Sequence, residues 1–225
     1  MTRTTIAGEV AELHASRAQD DQSEVMEVFA REQRELATRR VPDGIAADGS
    51  VLQDAELLDV HGEPTTLYEV LDEKPAVVVF YRGAWCPYCN IALRTYQSEL
   101  LPELAARGVS LLAISPQRPD GSLSMQEKND LAFAVLSDPG NQIAGQLGIL
   151  TAPSSGVRAV QLELGLDLEA VNADGTVAIP MPTTVIADAE RVIRWIDVHP
   201  DYTTRSEPSE ILDALDVRPP SADAG

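Results

Sequence analysis

Cysteine is nearly absent from this chain: two in 225 residues are too few for the disulfide framework of a small secreted protein. Basic side chains are scarce too. Seventeen Lys and Arg against 36 Asp and Glu leave a net charge of −19, which repels phosphate backbones and anionic membrane surfaces. Nucleic acid is therefore set aside as a partner. No apolar run approaches the roughly 20 residues of a membrane span, and the first ten residues hold none of signal-peptide length. The expectation is a cytoplasmic protein with no membrane attachment. Histidine is rare as well; His14, His61 and His199 have no paired spacing, so a zinc half-site would lack two ligands. No metal and no bound cofactor are expected. What remains is ordinary globular usage, 44% hydrophobic and 24% charged, without an internal repeat.

Residues 1–49 read as a polar helical extension ending in a linker. Ile6, Val10 and Leu13 recur at helical spacing, as do Val25, Val28, Phe29 and Leu36. The second segment, about Ser23 to Arg39, opens with acids and closes with bases, matching the helix dipole. Its apolar face needs cover, from this chain's own core or from a second copy in a homodimer. Val41-Pro42-Asp43-Gly44 breaks the pattern.

From Ala55 strands alternate with helices, which predicts a sheet covered by helices. Expected strands are Glu56–Val60, Pro75–Tyr81, Val109–Ser115 and Ala134–Ser137, with a hairpin of Thr184–Ala187 and Val192–Val198. The run PAVVVFY is continuous and β-branched, as in a central strand buried on both faces. Expected helices are Leu67–Asp72, Pro87–Arg107 with Gly108 just beyond it, Ser122–Asp130, a stretch after Asp138-Pro139-Gly140-Asn141, an inserted helix within Pro153–Val171 weakened by Gly165, and Pro208–Leu215. Residues 217–225 read as a disordered tail.

The chemistry-bearing segment lies where the strand ending at Tyr81 gives way to a helix: Arg82-Gly83-Ala84-Trp85-Cys86-Pro87-Tyr88-Cys89. A cysteine at a helix N-terminus faces unpaired N–H groups and the positive dipole end, which favour thiolate. A second cysteine three residues on can close a disulfide with it, so Cys86 and Cys89 can cycle between dithiol and disulfide. A purely structural bridge over so small a loop contributes only about 2 kcal/mol. Arg82 adds positive charge near the thiols, or is a solvated strand-end arginine. Tyr81, Trp85 and Tyr88 supply an apolar collar, or simple packing.

At these residues the sequence resembles the thioredoxin-fold redoxins, in particular the alkyl hydroperoxide reductase/thiol-specific antioxidant, or peroxiredoxin-like, group. Phe80-Tyr81, Trp85-Cys86-Pro87-Tyr88-Cys89, Leu111 to Pro116, Leu136 to Gly140 and Met181-Pro182-Thr183-Thr184 carry the resemblance, within residues 50–216. It implies an α/β thioredoxin-like fold, a central mixed sheet flanked by helices, with the N-terminal helical extension added. It places Pro182, followed by Thr183, where such proteins set a cis-proline opposite the cysteine pair. Two family patterns disagree about the attacking sulfur. In the thioredoxin pattern Cys86 attacks and Cys89 resolves, and helix-terminus chemistry alone favours this. In the peroxiredoxin pattern Cys89 is the peroxide-reacting residue; Cys86 stands where threonine is usual and Arg82 where proline is usual. That pattern also brings an arginine from a later strand, for which Arg191, Arg194 and Arg205 are candidates. The implied function is thiol-dependent reduction of a hydroperoxide substrate, with a thioredoxin-type dithiol reductant regenerating the enzyme. A thioredoxin-like protein thiol–disulfide oxidoreductase is the nearest rival, and a non-catalytic redox-sensing or metal-binding module the rival from another class.

Overall fold

The computed structural model describes residues 4–20, 24–119 and 125–217. The extension forms α1 (Ile6–Asp20) and α2 (Glu24–Leu36). The chain then runs through β1 (Glu56–Leu58), β2 (Pro64–Thr66), α3 (Leu67–Leu71) and β3 (Ala76–Phe80). The long helix follows as α4 (Pro87–Thr95) and α5 (Leu101–Ala106), joined by a π-helical turn over Tyr96–Leu100. Next come β4 (Ser110–Ser115), α6 (Met125–Asn129), β5 (Ala134–Ser137), α7 (Gln142–Gln146), β6 (Leu150–Thr151), α8 (Ser155–Glu163) and α9 (Leu168–Val171). The chain closes with β7 (Ile179–Pro180), β8 (Thr183–Ala187), β9 (Ile193–Val198) and α10 (Pro208–Val217).

Seven strands make one mixed sheet in the order β2-β1-β5-β4-β3-β8-β9, parallel at β3–β4 and β4–β5 and antiparallel elsewhere. β3 is central and wholly buried. Its side chains alternate by the period of a strand: Val77 and Val79 enter the core beneath α4, while Ala76, Val78 and Phe80 enter the core on the opposite face. Burying each of these Val and Phe side chains contributes about 1.5–3 kcal/mol.

The expected helix over Pro87–Arg107 is continuous in path but not uniform. Pro102 lacks the N–H that an α-ladder needs, and the widened turn before it absorbs the defect. Gly108 ends the helix at φ 68°, with Val109 N–H returning to Leu104 O at 3.0 Å, a Schellman closure.

Several expectations require correction. The inserted helix is two helices, because Gly165 at φ 81° closes α8 and turns the chain toward α9. The linker is docked: Ala46 N–H bonds Leu147 O at 3.0 Å and Gly49 N–H bonds Ile193 O at 2.7 Å. The short strands β2, β6 and β7 lack a sequence signal of their own, being edge or two-residue pairings. Part of the helix expected from Ser122 and nearly all of the expected tail lie outside the described residues.

The extension packs on the rest of the chain. Ile6 and Val10 are buried in the core beneath α4, and the Glu207 carboxylate accepts from the Ile6 and Ala7 N–H groups at 2.9 and 2.8 Å, capping α1 with negative charge. α2 packs against this chain's own α8 with its apolar residues half-buried, and the buried Glu32 accepts from Ser154 N–H at 2.9 Å.

Candidate active site

The loop between β3 and α4 is shaped by its small residues. Gly83 has φ 147°, and a Cβ there would lie 2.3 Å from Trp85 Nε1, so only glycine fits. Cys86 is the N-cap of α4 with Pro87 at the first helical position. Its carbonyl accepts from Cys89 N–H and Asn90 N–H, both at 3.1 Å. The buried Asn90 side chain straps the loop, donating at 2.8 Å to both Ala84 O and Cys86 O. Gln117 Oε1 takes the Ala84 N–H at 2.6 Å.

Both thiols are reduced and buried, yet their surroundings differ. Three donors converge on Cys89 Sγ: Arg205 Nη2 at 3.1 Å, the Arg82 backbone N–H, and the Cys86 thiol. Burial alone would push the Cys89 thiol up; these hydrogen bonds, with the charges of Arg205 and Arg82, outweigh it and bring the pKa down to about 5. Cys86 moves the opposite way. Burial pushes its thiol up, and so do its donated hydrogen bond and the charge on Cys89. At neutral pH the pair is therefore a Cys89 thiolate beside a Cys86 thiol. Helix-terminus reasoning, which favoured ionising Cys86, fails because Cys86 as N-cap sits in an apolar setting while its neighbour collects the donors.

Arg205 is held for this task by its own loop. Its Nη1 donates to Tyr202 O at 2.7 Å and to Thr204 O at 2.5 Å. Tyr96, in the π turn, donates to Ser206 O at 2.7 Å, and Ser206 Oγ donates to Asp197 Oδ2 at 2.8 Å. The same Asp197 oxygen lies 2.9 Å from His199 Nε2. Of the three arginine candidates only Arg205 reaches the thiols. Arg191 stacks on Tyr68 and Arg194 pairs with Asp188, both away from the site.

Arg82 is 5% exposed, so the reading of a solvated strand-end arginine does not hold. Its guanidinium lies 4.1 Å from the centre of the Tyr202 ring and 5.0 Å from that of Trp85, a cation–π sandwich. Tyr88 and Tyr202 are in ring contact, and the extension reaches both: Gln33 Nε2 donates to Tyr88 Oη at 3.1 Å and to Tyr202 Oη at 3.4 Å, while His14 Nε2 lies 3.0 Å from Tyr88 Oη. Trp85 and Cys86 border a cavity of about 560 Å³ that also meets α2.

Pro182 departs from the expected geometry. No peptide bond among the described residues is cis; Pro182 lines a neighbouring cavity of about 130 Å³ that Arg82 and Tyr202 also border. Thr183 pairs with Phe80 in the sheet and turns its hydroxyl to Met181 O at 2.9 Å. Asn90, Tyr202, Gln33 and His14 were missed. Asn90 had one signal, its place beside Cys89 in the first helical turn; the others come from segments far off in the chain. Among the described residues no cluster of three or more His, Cys, Asp or Glu could hold a metal ion, and no helix is long and apolar enough to cross a membrane.

The strand, the helix-capping cysteine pair and the arginine on Cys89 agree with a match of residues 49–196 to the model of the AhpC/TSA family. The chain belongs to the AhpC/TSA family. Over 79 residues it is 37% identical to a protein of Haemophilus influenzae named putative peroxiredoxin bcp, covering 34% of this chain and 48% of that one. Over 101 residues it is 30% identical to peroxiredoxin Bcp of Escherichia coli, covering 45% of this chain and 64% of that one. It thus spans about half to two thirds of these curated relatives. The fold is that of peroxidoxin BcpB from Mycobacterium tuberculosis, with TM-score 0.56, 22% identity, and coverage of 76% of this chain and 96% of that one. It is also that of reduced Prx3 in complex with hydrogen peroxide from Vibrio vulnificus, with TM-score 0.60, 19% identity, and coverage of 76% and 99%. The α/β thioredoxin-like fold expected for an AhpC/TSA member is thereby established.

Proposed function

We propose that this AhpC/TSA member is a thiol-dependent peroxidase in which Cys89 attacks and Cys86 resolves. The observation that carries the reading is the convergence of Arg205, the Arg82 N–H and the Cys86 thiol on one sulfur. The Cys89 thiolate attacks the nearer peroxide oxygen; an S–O bond forms, the O–O bond breaks, and the departing alkoxide or hydroxide takes up a proton. Sulfur is oxidised by two electrons to sulfenic acid. The Arg205 guanidinium, already on Cys89 Sγ, faces the oxygen where negative charge develops. Cys86 then attacks the sulfenic sulfur, the S–S bond forms, and hydroxide leaves as water with the Cys86 proton.

An external thiol reopens the disulfide; a thioredoxin-type dithiol is the donor the family resemblance implies. We place the protein in the cytoplasm, where a pair this close is returned to dithiol between turnovers, and assign residues 50–216 as the redox domain with residues 1–49 as an extension built against its active face.

The test is rapid-mixing peroxide consumption by wild type, Cys89→Ser and Cys86→Ser. Cys89→Ser is expected to fall to background. Cys86→Ser is expected to consume one equivalent, trapped as sulfenic acid by a dimedone probe, and to stop there. The opposite pattern reverses the assignment of the two sulfurs, and a wild-type rate no greater than that of free cysteine ends the peroxidase reading. Protein thiol–disulfide exchange has one observation in its favour, the position of Cys86 rather than Cys89 at the large cavity; fast insulin disulfide reduction by wild type would support it.

A further inference from the structure

We propose that Asp197 is a positioning residue for the reaction at Cys89: it fastens the residues on both sides of Arg205 to the sheet, Ser206 directly and Thr204 through His199. The proposal rests on the peroxidase reading, which makes Cys89 the attacking sulfur and Arg205 its partner.

The need for a tie follows from where Arg205 directs its hydrogen bonds. Nη1 donates to Tyr202 O and Thr204 O, both in its own loop, so these bonds fix the guanidinium to the loop but not the loop to the thiols. The turn below is likewise bonded to itself: Thr204 N–H meets Asp201 O at 3.1 Å, and the Asp201 carboxylate accepts from Thr203 N–H at 2.9 Å. Nη2 meets Cys89 Sγ at 3.1 Å, a contact that weakens steeply with any drift of the loop.

Asp197 supplies the fixed point. Its backbone is held in β9, in register with Thr184 of β8, and β8 pairs with β3, whose end leads into the cysteine loop. One carboxylate oxygen, Oδ2, accepts from Ser206 Oγ at 2.8 Å and lies 2.9 Å from His199 Nε2. The other ring nitrogen of His199, Nδ1, lies 2.8 Å from Thr204 Oγ1, and the His199 N–H bonds Pro182 O at 2.9 Å. Thr204 and Ser206 are thus tied to one oxygen, with Arg205 suspended between them. Tyr96 adds a third tie, to Ser206 O.

Position and charge can be told apart here. Cys89, Cys86 and Tyr96 face Arg205, Arg82 faces the same thiols from the end of β3, Glu207 and Asp197 face Tyr96, and His199 and Ser206 face Asp197. The His199 hydrogen bond holds the Asp197 carboxyl below its ordinary value, so the tie stays charged while Cys89 ionises. Removing an anion from the surroundings of a thiol favours thiolate and lowers its midpoint, whereas releasing Arg205 raises it. The two roles predict opposite signs.

The experiment follows the ultraviolet absorbance of the thiolate against pH in the reduced full chain, which reads ionisation without peroxide, and measures the peroxide rate constant alongside. In Asp197→Ala the midpoint is expected to rise by about one pH unit, a tenfold change in the ionisation constant. The rate constant should fall about tenfold, within what a misplacement of about 1 Å can cost. Asp197→Asn keeps an oxygen for Ser206 and His199, and a neutral acceptor holds about half as strongly, so its midpoint should rise by less. Adding Asp197→Ala to Arg205→Met should change nothing further, because the tie acts through Arg205. A midpoint that stays or falls in Asp197→Ala overturns the proposal, and so does a further rise in the double variant; easier denaturant unfolding with the midpoint in place would mark a merely structural residue. If Asp197→Ala does not fold, Asp197→Asn decides by the same sign. If wild type does not react with peroxide, the peroxidase reading fails on its own, while the absorbance titration still tests the tie.

Discussion

Two segments build the site, and they differ in how far their residues lie from one another along the chain. The loop and helix start over residues 80–90 are local: Gly83, Ala84, Cys86 and Asn90 meet through hydrogen bonds spanning six residues or fewer. The segment over residues 199–207 acts at long range, with Arg205 reaching Cys89 across 116 positions. The first brings two sulfurs together; the second decides which of them is ionised. A helix N-terminus is a modest and widely shared source of positive potential, whereas a buried guanidinium hydrogen-bonded to one sulfur is stronger and belongs to that sulfur alone.

The comparison breaks most sharply at Arg205. Arg205→Met removes a charge-assisted hydrogen bond worth about 1.5–3 kcal/mol, so the rate constant with peroxide should fall by about 10- to 100-fold. The pH profile reports the same event. Thiolate is the reactive form, so the wild-type rate should hold from neutral pH down and halve near the Cys89 pKa of about 5; in Arg205→Met the midpoint should move up toward the ordinary thiol range. A midpoint that stays in place would show that the loop contributes only packing.

A smaller effect is expected on the local side. Asn90→Ala leaves the Ala84 and Cys86 carbonyls without their 2.8 Å donors, costing about 1–3 kcal/mol in denaturant unfolding and loosening the turn that sets the sulfur separation. Single-turnover disulfide closure should slow more than the initial peroxide reaction. Equal slowing of both steps would mean that the strap orients Cys89 as well.

Smallest of all is the contribution of the extension. Tyr88→Phe removes the hydroxyl that meets His14 and Gln33 and should cost about 0.5–1.5 kcal/mol, read as faster amide exchange over residues 6–17 with little change in the peroxide reaction. If exchange there is unchanged, the buried Ile6 and Val10 and the Glu207 cap hold α1 without help from the tyrosine.

Much of this was legible from residue order. β3 declared itself by the continuous apolar, β-branched run PAVVVFY, the helix after it by Pro87 and Gly108, and the cysteine pair by its spacing at the junction between them, since each rests on interactions between neighbours in the chain. Other features were not. The two-residue strands β6 and β7 exist only because each lies beside the other, the π turn at Tyr96 answers a proline further along the helix, and Gly165 read as a weakness where it is a break.

The sequence by itself determined that two thiols stand at the end of a buried strand, because strand period, helix start and a three-residue spacing are local properties. Only the tertiary structure decided that Cys89 is the acidic sulfur, that Arg205 rather than Arg191 or Arg194 serves it, and that α2 and the insertion wall a cavity over Cys86. Burial and charge at a point in space depend on everything packed around it, and most of what surrounds these sulfurs comes from distant parts of the chain.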